Sequence, residues 1–182
     1  MKNRIAISNV LILLILLIAR PSSPLLFAAG LFFVILGQGI RLISSATIIK
    51  SKTLTTKGIY SVCRNPLYLG TLTITFGIMI QLSSSAVWNT AAVWLIALSA
   101  FPFIYTKTIK AEETYLLSVY GSEFEKYLAS VPSLAPKVSA IGKIFKKENY
   151  DSNAFARNKE YRGLAGTFII ELIIALKLYY AY

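Results

Sequence analysis

The chain has 182 residues, of which 55% are hydrophobic and only 15% are charged, and its mean hydropathy is +0.61. This composition lies outside the range of ordinary soluble domains and indicates an integral membrane protein. The absence of histidine excludes histidine-based hydrolytic triads and imidazole ligation of zinc or haem. The single cysteine, Cys63, allows no internal disulfide and is interpreted as a packing residue.

Five apolar stretches predict an all-α, polytopic helical bundle with about five transmembrane helices. The stretches are 5–19, 25–43, 67–82, 87–105 and 163–182. The first two are separated by Arg20-Pro21 without a small-x-small cleavage site, which favours a helical hairpin over a signal peptide. Pro66 is expected to open the third helix. Glu171 and Lys177 interrupt the fifth stretch, which is a further span or a helix packed within the bundle.

Basic residues are distributed unevenly between these stretches. Residues 44–66 carry four basic residues and no acid, and residues 106–162 carry ten basic residues and seven of the eight acids. Placing both segments and the N-terminus on one side gives sixteen basic residues there against two, Arg20 and Lys177, on the other. The positive-inside rule therefore predicts a cytoplasmic N-terminus, an outside C-terminus and a cytoplasmic helical segment, in what is expected to be a prokaryotic inner membrane. The net charge of +11 is explained by this topology, and no basic stripe interleaved with aromatic residues predicts a nucleic acid partner.

Residues 57–70 form a first cluster of functional side chains. Gly58 allows a tight turn, and Arg64 and Asn65 provide donors suited to a carboxylate. Tyr68 is expected in the first turn of the helix that Pro66 opens, where free amides add anion-binding donors.

Residues 112–127 form a second cluster. Gly121 is expected to end a short helix of about residues 107–120, and Ser122 with Glu125 predicts a capping box for the next helix. Glu112 and Glu113 diverge by about 100° on a helix, so one can face a pocket while the other faces solvent or a basic partner. Anion donors opposite an acidic and aromatic wall suit a zwitterionic or sulfonium ligand, although headgroup-facing charges and interfacial tyrosines give the same pattern.

The ordered motifs carry a family resemblance. They are Gly58-Ile-Tyr60, Arg64-Asn-Pro-Leu-Tyr-Leu-Gly70, Glu112-Glu113, Tyr120-Gly-Ser-Glu-Phe-Glu-Lys-Tyr-Leu-Ala-Ser-Val-Pro132 and Pro136. In order and spacing, over roughly residues 35–136, they resemble the isoprenylcysteine carboxyl methyltransferases and the related phospholipid methyltransferases. Gly37-Gln-Gly39 with Arg41 is similar to a glycine-containing motif on the preceding helix of that family, and residues 155–163 resemble uncharacterised bacterial members.

The resemblance implies a membrane-embedded enzyme that transfers a methyl group from S-adenosylmethionine to a hydrophobic or lipid-like acceptor entering from the bilayer, without a metal. It implies catalytic roles for Arg64, Tyr68 and Glu113. The implied cofactor-binding residues are Gly37, Gly39, Tyr60, Asn65, Tyr68, Leu69, Gly70, Glu112 and Glu113. It also implies one domain over residues 1–182, with an N-terminal hairpin (1–43), a catalytic core (44–136) and a C-terminal extension (137–182).

One departure from the family pattern concerns Asn65, which stands where the family usually has histidine. Asparagine keeps a hydrogen-bond donor but does not titrate near neutral pH, which removes a proton-transfer role from this position. Two other functions stay open: a membrane reductase resembling the NADPH-dependent sterol reductases, and a small transporter or scaffold with Arg41 and Glu171 as intramembrane charges. The sequence identifies neither the methyl acceptor nor the oligomeric state.

Overall fold

The computed structural model describes residues 4–48, 53–151 and 153–180. Within these ranges the chain forms α-helices and short 3₁₀ segments and no strand, which confirms the all-α prediction. The α-helices are α1 (Arg4–Ile18), α2 (Pro24–Thr47), α3 (Pro66–Gln81), α4 (Val87–Tyr120), α5 (Ser122–Ser130), α6 (Ala154–Arg157) and α7 (Glu160–Tyr179). The 3₁₀ segments are Gly58–Ser61, Val138–Phe145 and Lys147–Asn149. Lys2, Lys50 and Lys52, which contribute to the predicted charge asymmetry, lie outside the described residues.

Two of the described helices, α2 and α4, are long and apolar enough to cross a membrane, and α3 is a shorter apolar helix. By length and composition, the structure therefore supports a membrane protein. The five-span topology and its orientation stay predictions.

The helix α4 differs from the prediction of a span at 87–105 followed by a separate short helix at about 107–120. Both parts belong to one helix of 34 residues, about 51 Å long at 1.5 Å per residue. The polar residues from Thr106 onward change the composition but contain no helix-breaking glycine or proline, so the helix continues. Pro102 lies inside the helix and does not end it.

Gly121 separates α4 from α5, as expected. Its φ of +51° lies in the region that favours glycine, and its amide donates to the Leu117 carbonyl oxygen at 2.9 Å. The predicted capping box of Ser122 and Glu125 is wrong, because Gly121 occupies the N-cap position and no side chain caps the helix. Ser122 is already the first helical residue.

The chain divides into two compact units, of which the first comprises residues 1–36, 72–108 and 165–182. Its core includes fully buried residues such as Ile15, Ile78 and Val93. A Cβ atom at Gly77 would lie 2.5 Å from the Gly30 carbonyl oxygen, so glycine allows α2 and α3 to approach closely, as in membrane helix pairs. The outer surface of this unit is also apolar, which is typical of a protein surrounded by lipid. Strongly exposed apolar residues include Leu17, Leu25, Trp88, Leu95 and Phe168.

The second unit comprises residues 37–71 and 109–164. It has a small core of its own around Phe124, Tyr127 and Val131. Every candidate site residue from the sequence lies within this unit, so the geometry of the candidate site is that of one compact body.

Candidate functional site

The backbone before α3 is fixed by a turn and by a short pairing with a distant segment. Gly58 begins a 3₁₀ turn with φ +53°, which confirms the predicted tight turn. The Arg64 amide donates to the Pro132 carbonyl oxygen at 2.9 Å, and the Asn65 amide donates to the Ser133 carbonyl oxygen at 3.0 Å. Pro66 then opens α3, as expected. These contacts hold Arg64 and Asn65 in fixed positions beside residues 132 and 133.

Arg64 is fully engaged with groups of the protein itself. Its Nε and Nη2 atoms each lie 3.1 Å from Glu113 Oε1. Its Nη1 atom donates to the carbonyl oxygens of Leu128, at 3.0 Å, and Val131. The Arg64 and Glu113 side chains are 13% and 21% exposed, so this is a half-buried, charge-assisted pair. Arg64 is therefore placed to position Glu113 and to join the start of α3 to the end of α5.

Asn65 binds the same carboxylate. Its Nδ2 atom donates to Glu113 Oε1 at 3.0 Å and to Ser133 Oγ at 3.1 Å. The asparagine thus provides the donor that the sequence predicted for this position. Ser133 is a site residue that sequence reasoning missed, because nothing local in the sequence indicates a partner 68 residues away.

Tyr68 and Glu112 form a second bonded pair beside the first. The Tyr68 hydroxyl donates to Glu112 Oε1 at 2.6 Å. The two adjacent acids of α4 are both half-buried, with Glu113 facing the basic Arg64 and Glu112 facing a tyrosine. Glu113 therefore has the basic partner that the sequence predicted for one of the two acids, and Glu112 is bonded to Tyr68.

Tyr60 is buried, with 6% of its surface exposed, and its hydroxyl has no hydrogen-bond partner among the described residues. Its carbonyl oxygen, by contrast, accepts a hydrogen bond from the Tyr127 hydroxyl at 2.6 Å. Burial first, then the neighbouring Tyr127, raises the pKa of Tyr60 well above its ordinary value, with smaller contributions from Glu112 and Glu160. The hydroxyl is consequently a neutral donor at physiological pH. A buried donor without an acceptor costs about 1–3 kcal/mol, and such groups call for an explanation such as a ligand.

Arg41 and Glu160 form a buried ion pair. The sequence indicated the arginine but not its acidic partner. Arg41 Nη2 lies 2.7 Å from Glu160 Oε1, and the side chains are 22% and 7% exposed. Arg41 Nη1 donates to Thr71 Oγ1 at 2.6 Å. The sequence signal was Arg41 itself, since a charge at the end of an apolar helix needs a partner. The pair connects α2 with the first turn of α7.

The predicted cofactor-binding glycines have different surroundings. A Cβ atom at Gly70 would lie 2.6 Å from Arg41 Cγ and 2.7 Å from the Gly37 carbonyl oxygen, so α2 and α3 pack closely there. A Cβ atom at Gly39 would meet nothing within 4 Å. Gly70 therefore has a packing role, whereas Gly39 presents an open backbone surface that a ligand can approach.

The structure thus brings Arg64, Asn65 and Glu113 into one bonded cluster and Tyr68 with Glu112 into a bonded pair. Leu69 is half-buried in the first turns of α3. No group of three or more acidic or cysteine side chains that could hold a metal ion occurs in the part of the chain that the structure describes. The features suited to an organic ligand are the Tyr60 hydroxyl, which has no hydrogen-bond partner within the described ranges, the Glu112 carboxylate and the open space beside Gly39.

Residues 24–123 match the family model described as phospholipid methyltransferase. The chain is 34% identical over 119 residues to the cobalt-zinc-cadmium resistance protein CzcN of Cupriavidus metallidurans, covering 64% of this chain and 52% of that protein. It is 29% identical over 128 residues to the protein-S-isoprenylcysteine O-methyltransferase of Rattus norvegicus, covering 64% and 43%. The enzyme of that name from Schizosaccharomyces pombe is 31% identical over 102 residues, covering 56% and 41%. The chain therefore spans about half or less of the length of these relatives, and no solved structure matches it.

Proposed function

We propose, since the chain belongs to the phospholipid methyltransferase family, that it is a membrane-embedded methyltransferase whose methyl donor is S-adenosylmethionine. The acceptor in this proposal is a hydrophobic or lipid-like molecule that enters from the bilayer. The family match, the two apolar helices α2 and α4 and the similarity to two isoprenylcysteine methyltransferases support a membrane methyltransferase.

The observation that carries the cofactor assignment is the buried Tyr60 hydroxyl, which has no hydrogen-bond partner among the described residues. S-adenosylmethionine is a zwitterion with an additional sulfonium charge, so it presents carboxylate and ribose oxygens as acceptors and an ammonium group as a donor. The Tyr60 hydroxyl suits an acceptor of the cofactor, and the Glu112 carboxylate suits its ammonium group. The residues present therefore fit this cofactor, with Gly39 allowing close approach to α2.

The remaining residues act as positioning groups in this proposal. Arg64 and Asn65 hold Glu113, and Tyr68 holds Glu112, so both carboxylates have fixed orientations before a ligand arrives. When bound, S-adenosylmethionine supplies an electrophilic methyl group. A carboxylate acceptor is already ionised and needs no general base, so orientation and exclusion of water carry the rate. An amine or hydroxyl acceptor would give up its proton, for which a half-buried glutamate is the available base.

The five predicted spans, with the N-terminus in the cytoplasm, are part of the proposal. Two variants, each with one introduced cysteine, test this orientation, the first at Ser84 between α3 and α4 and the second at Glu123 in α5. The native Cys63 is only 1% exposed, so the label reports the introduced cysteine. The Ser84→Cys variant is expected to react with an impermeant maleimide from outside and the Glu123→Cys variant only from the cytoplasmic side. Labelling of both from the same side would reject the topology.

The transporter alternative depended on Arg41 and Glu171 as charges along a pathway. Arg41 is engaged with Glu160 and Thr71. Glu171 Oε2 accepts a hydrogen bond from Gln81 Nε2 at 2.8 Å. These contacts favour a structural role for Arg41, whereas the Oε1 atom of Glu171 is buried without a hydrogen-bond partner among the described residues.

Calorimetric titration of the purified protein with S-adenosylmethionine tests the cofactor assignment. Glu112→Gln is expected to weaken binding by about 1.5–3 kcal/mol, the scale of a hydrogen bond to a charged group. Glu123→Gln is the matched control, since it removes the same charge from an exposed position of α5 and should bind like the parent. A parent protein that does not bind, or equal affinity for both variants and the parent, would reject the assignment.

A further inference from the structure

Residues 137–146, named here the anchor segment, combine exposed apolar side chains with lysines. Val138 and Phe145 are 77% and 78% exposed, and Ile141 is 39% exposed. The basic residues of the segment are Lys137, Lys143 and Lys146. The segment contains no acid, and the first acid after it is Glu148, whose carboxylate lies 4.0 Å from the Lys146 ammonium group.

Backbone hydrogen bonds fix the anchor segment within the second unit. The Lys137 amide donates to the Val62 carbonyl oxygen at 2.8 Å, and the Ala140 amide donates to the Lys137 carbonyl oxygen at 2.9 Å. Ala140 is only 4% exposed. The segment is therefore fixed through its backbone and Ala140, while its large apolar side chains face outward.

We propose that the anchor segment lies in the headgroup layer of a membrane that contains anionic phospholipid. Large apolar side chains beside lysines are the composition of interfacial segments, whose apolar groups enter the boundary of the acyl chains while the cations meet lipid phosphates. The charges favour this occupant, because a segment that carries three lysines and no acid attracts an anionic surface. The contact requires neither the cofactor nor the methyl acceptor, and its test is independent of methyl transfer.

An environment-sensitive fluorophore at position 145 tests the contact. Cys63 is buried, so NBD attached to a Phe145→Cys variant reports this position. The labelled protein is reconstituted in vesicles of phosphatidylcholine and phosphatidylglycerol, with or without bromine on the lipid acyl chains. The emission at position 145 is expected to shift to the blue and to be quenched by the brominated lipid. An Ala129→Cys variant, labelled in exposed α5, is the matched control and is expected to stay unquenched.

Two results would overturn the proposal. One is an emission at position 145 that does not respond to brominated lipid. The other is equal quenching at position 129, which would show that the segment has no lipid contact of its own. Quenching at Phe145→Cys without quenching at Ala129→Cys supports it.

Neutralising variants test the choice of anionic lipid. Lys143→Gln with Lys146→Gln is expected to reduce the quenching at position 145 in vesicles containing phosphatidylglycerol to the level in phosphatidylcholine alone. Lys126→Gln with Lys159→Gln changes the net charge equally at exposed sites elsewhere in the unit and should leave the quenching unchanged. Equal effects of the two pairs, or no effect of the first pair, would contradict the electrostatic part of the proposal.

Discussion

Replacing Tyr60 by phenylalanine distinguishes between two roles of its hydroxyl group, ligand binding and stabilisation of the fold. The substitution keeps the buried ring and removes a hydroxyl that has no partner among the described residues. An unsatisfied buried polar group costs about 1–3 kcal/mol, so its removal is expected to stabilise the ligand-free protein by up to that amount. If the hydroxyl donates to a charged oxygen of S-adenosylmethionine, the same substitution costs about 1.5–3 kcal/mol of binding, or roughly 10- to 100-fold in Kd.

Tyr127→Phe is the matched control for Tyr60→Phe. The Tyr127 hydroxyl donates to the Tyr60 carbonyl oxygen at 2.6 Å, so its removal leaves a buried acceptor unsatisfied and should destabilise the protein by about 1–3 kcal/mol. The two tyrosine-to-phenylalanine changes are therefore expected to shift the ligand-free Tm in opposite directions.

The assay is thermal unfolding in detergent with and without S-adenosylmethionine, together with calorimetric binding. A ligand at 100 times its Kd stabilises a protein by about 2.7 kcal/mol, so the parent should show a clear rise in Tm with cofactor. Tyr60→Phe should show a higher ligand-free Tm and a smaller rise. A Tyr60→Phe protein that binds the cofactor as the parent does, or that unfolds at a lower temperature without it, would refute the reasoning.

Three further predictions concern packing, the buried ion pair and the thiol. Gly70→Ala should destabilise the protein by up to about 2 kcal/mol, because overpacking of about 1–3 kcal/mol exceeds the gain of about 1 kcal/mol in helix propensity. Gly39→Ala, with open space around its new methyl group, should be neutral or stabilising in the same denaturation experiment. Glu160→Gln should lower the free energy of unfolding by about 3 kcal/mol, the lower end for breaking a buried ion pair. The lower end applies because Arg41 is 22% exposed and the new amide still accepts a hydrogen bond. An unchanged free energy of unfolding would contradict this. Burial raises the pKa of Cys63 to about 11, so iodoacetamide followed by mass spectrometry should label the folded protein only slowly at neutral pH. Because the thiol pKa is higher in the folded protein than in the unfolded chain, the contribution of the neutral thiol to folding stability is fully present below the ordinary thiol pKa of about 9. This contribution is lost as the pH rises through about 11.

Local sequence patterns predicted the helices where apolar runs end at clear signals. α2 and α3 begin at Pro24 and Pro66, each one residue before its apolar run, because proline suits the first helical position. The prediction is wrong at residue 106, where the change from apolar to polar composition does not end the helix. Composition determines the surroundings of a helix, whereas α4 ends at Gly121, whose positive φ departs from the helical backbone.

The site was predictable in its residue types but only partly in its contacts. The motifs identified Arg64, Asn65 and Glu113, which the structure brings together. Arg41 and Glu160 are separated by 119 residues, and no local pattern indicates which acid neutralises an arginine in an apolar helix. Likewise, only the three-dimensional structure distinguishes the Tyr127 hydroxyl, which has a partner, from the Tyr60 hydroxyl, which has none in the part of the chain that the structure describes.

Methyl transfer itself tests the central claim most directly. The purified protein is incubated with methyl-labelled S-adenosylmethionine and a membrane lipid extract, and the label in the organic phase is identified by mass spectrometry. The account predicts a labelled hydrophobic product whose yield falls with Glu112→Gln and stays at the parent level with Glu123→Gln. A folded parent protein that neither binds S-adenosylmethionine nor transfers label to any component of the extract would contradict it.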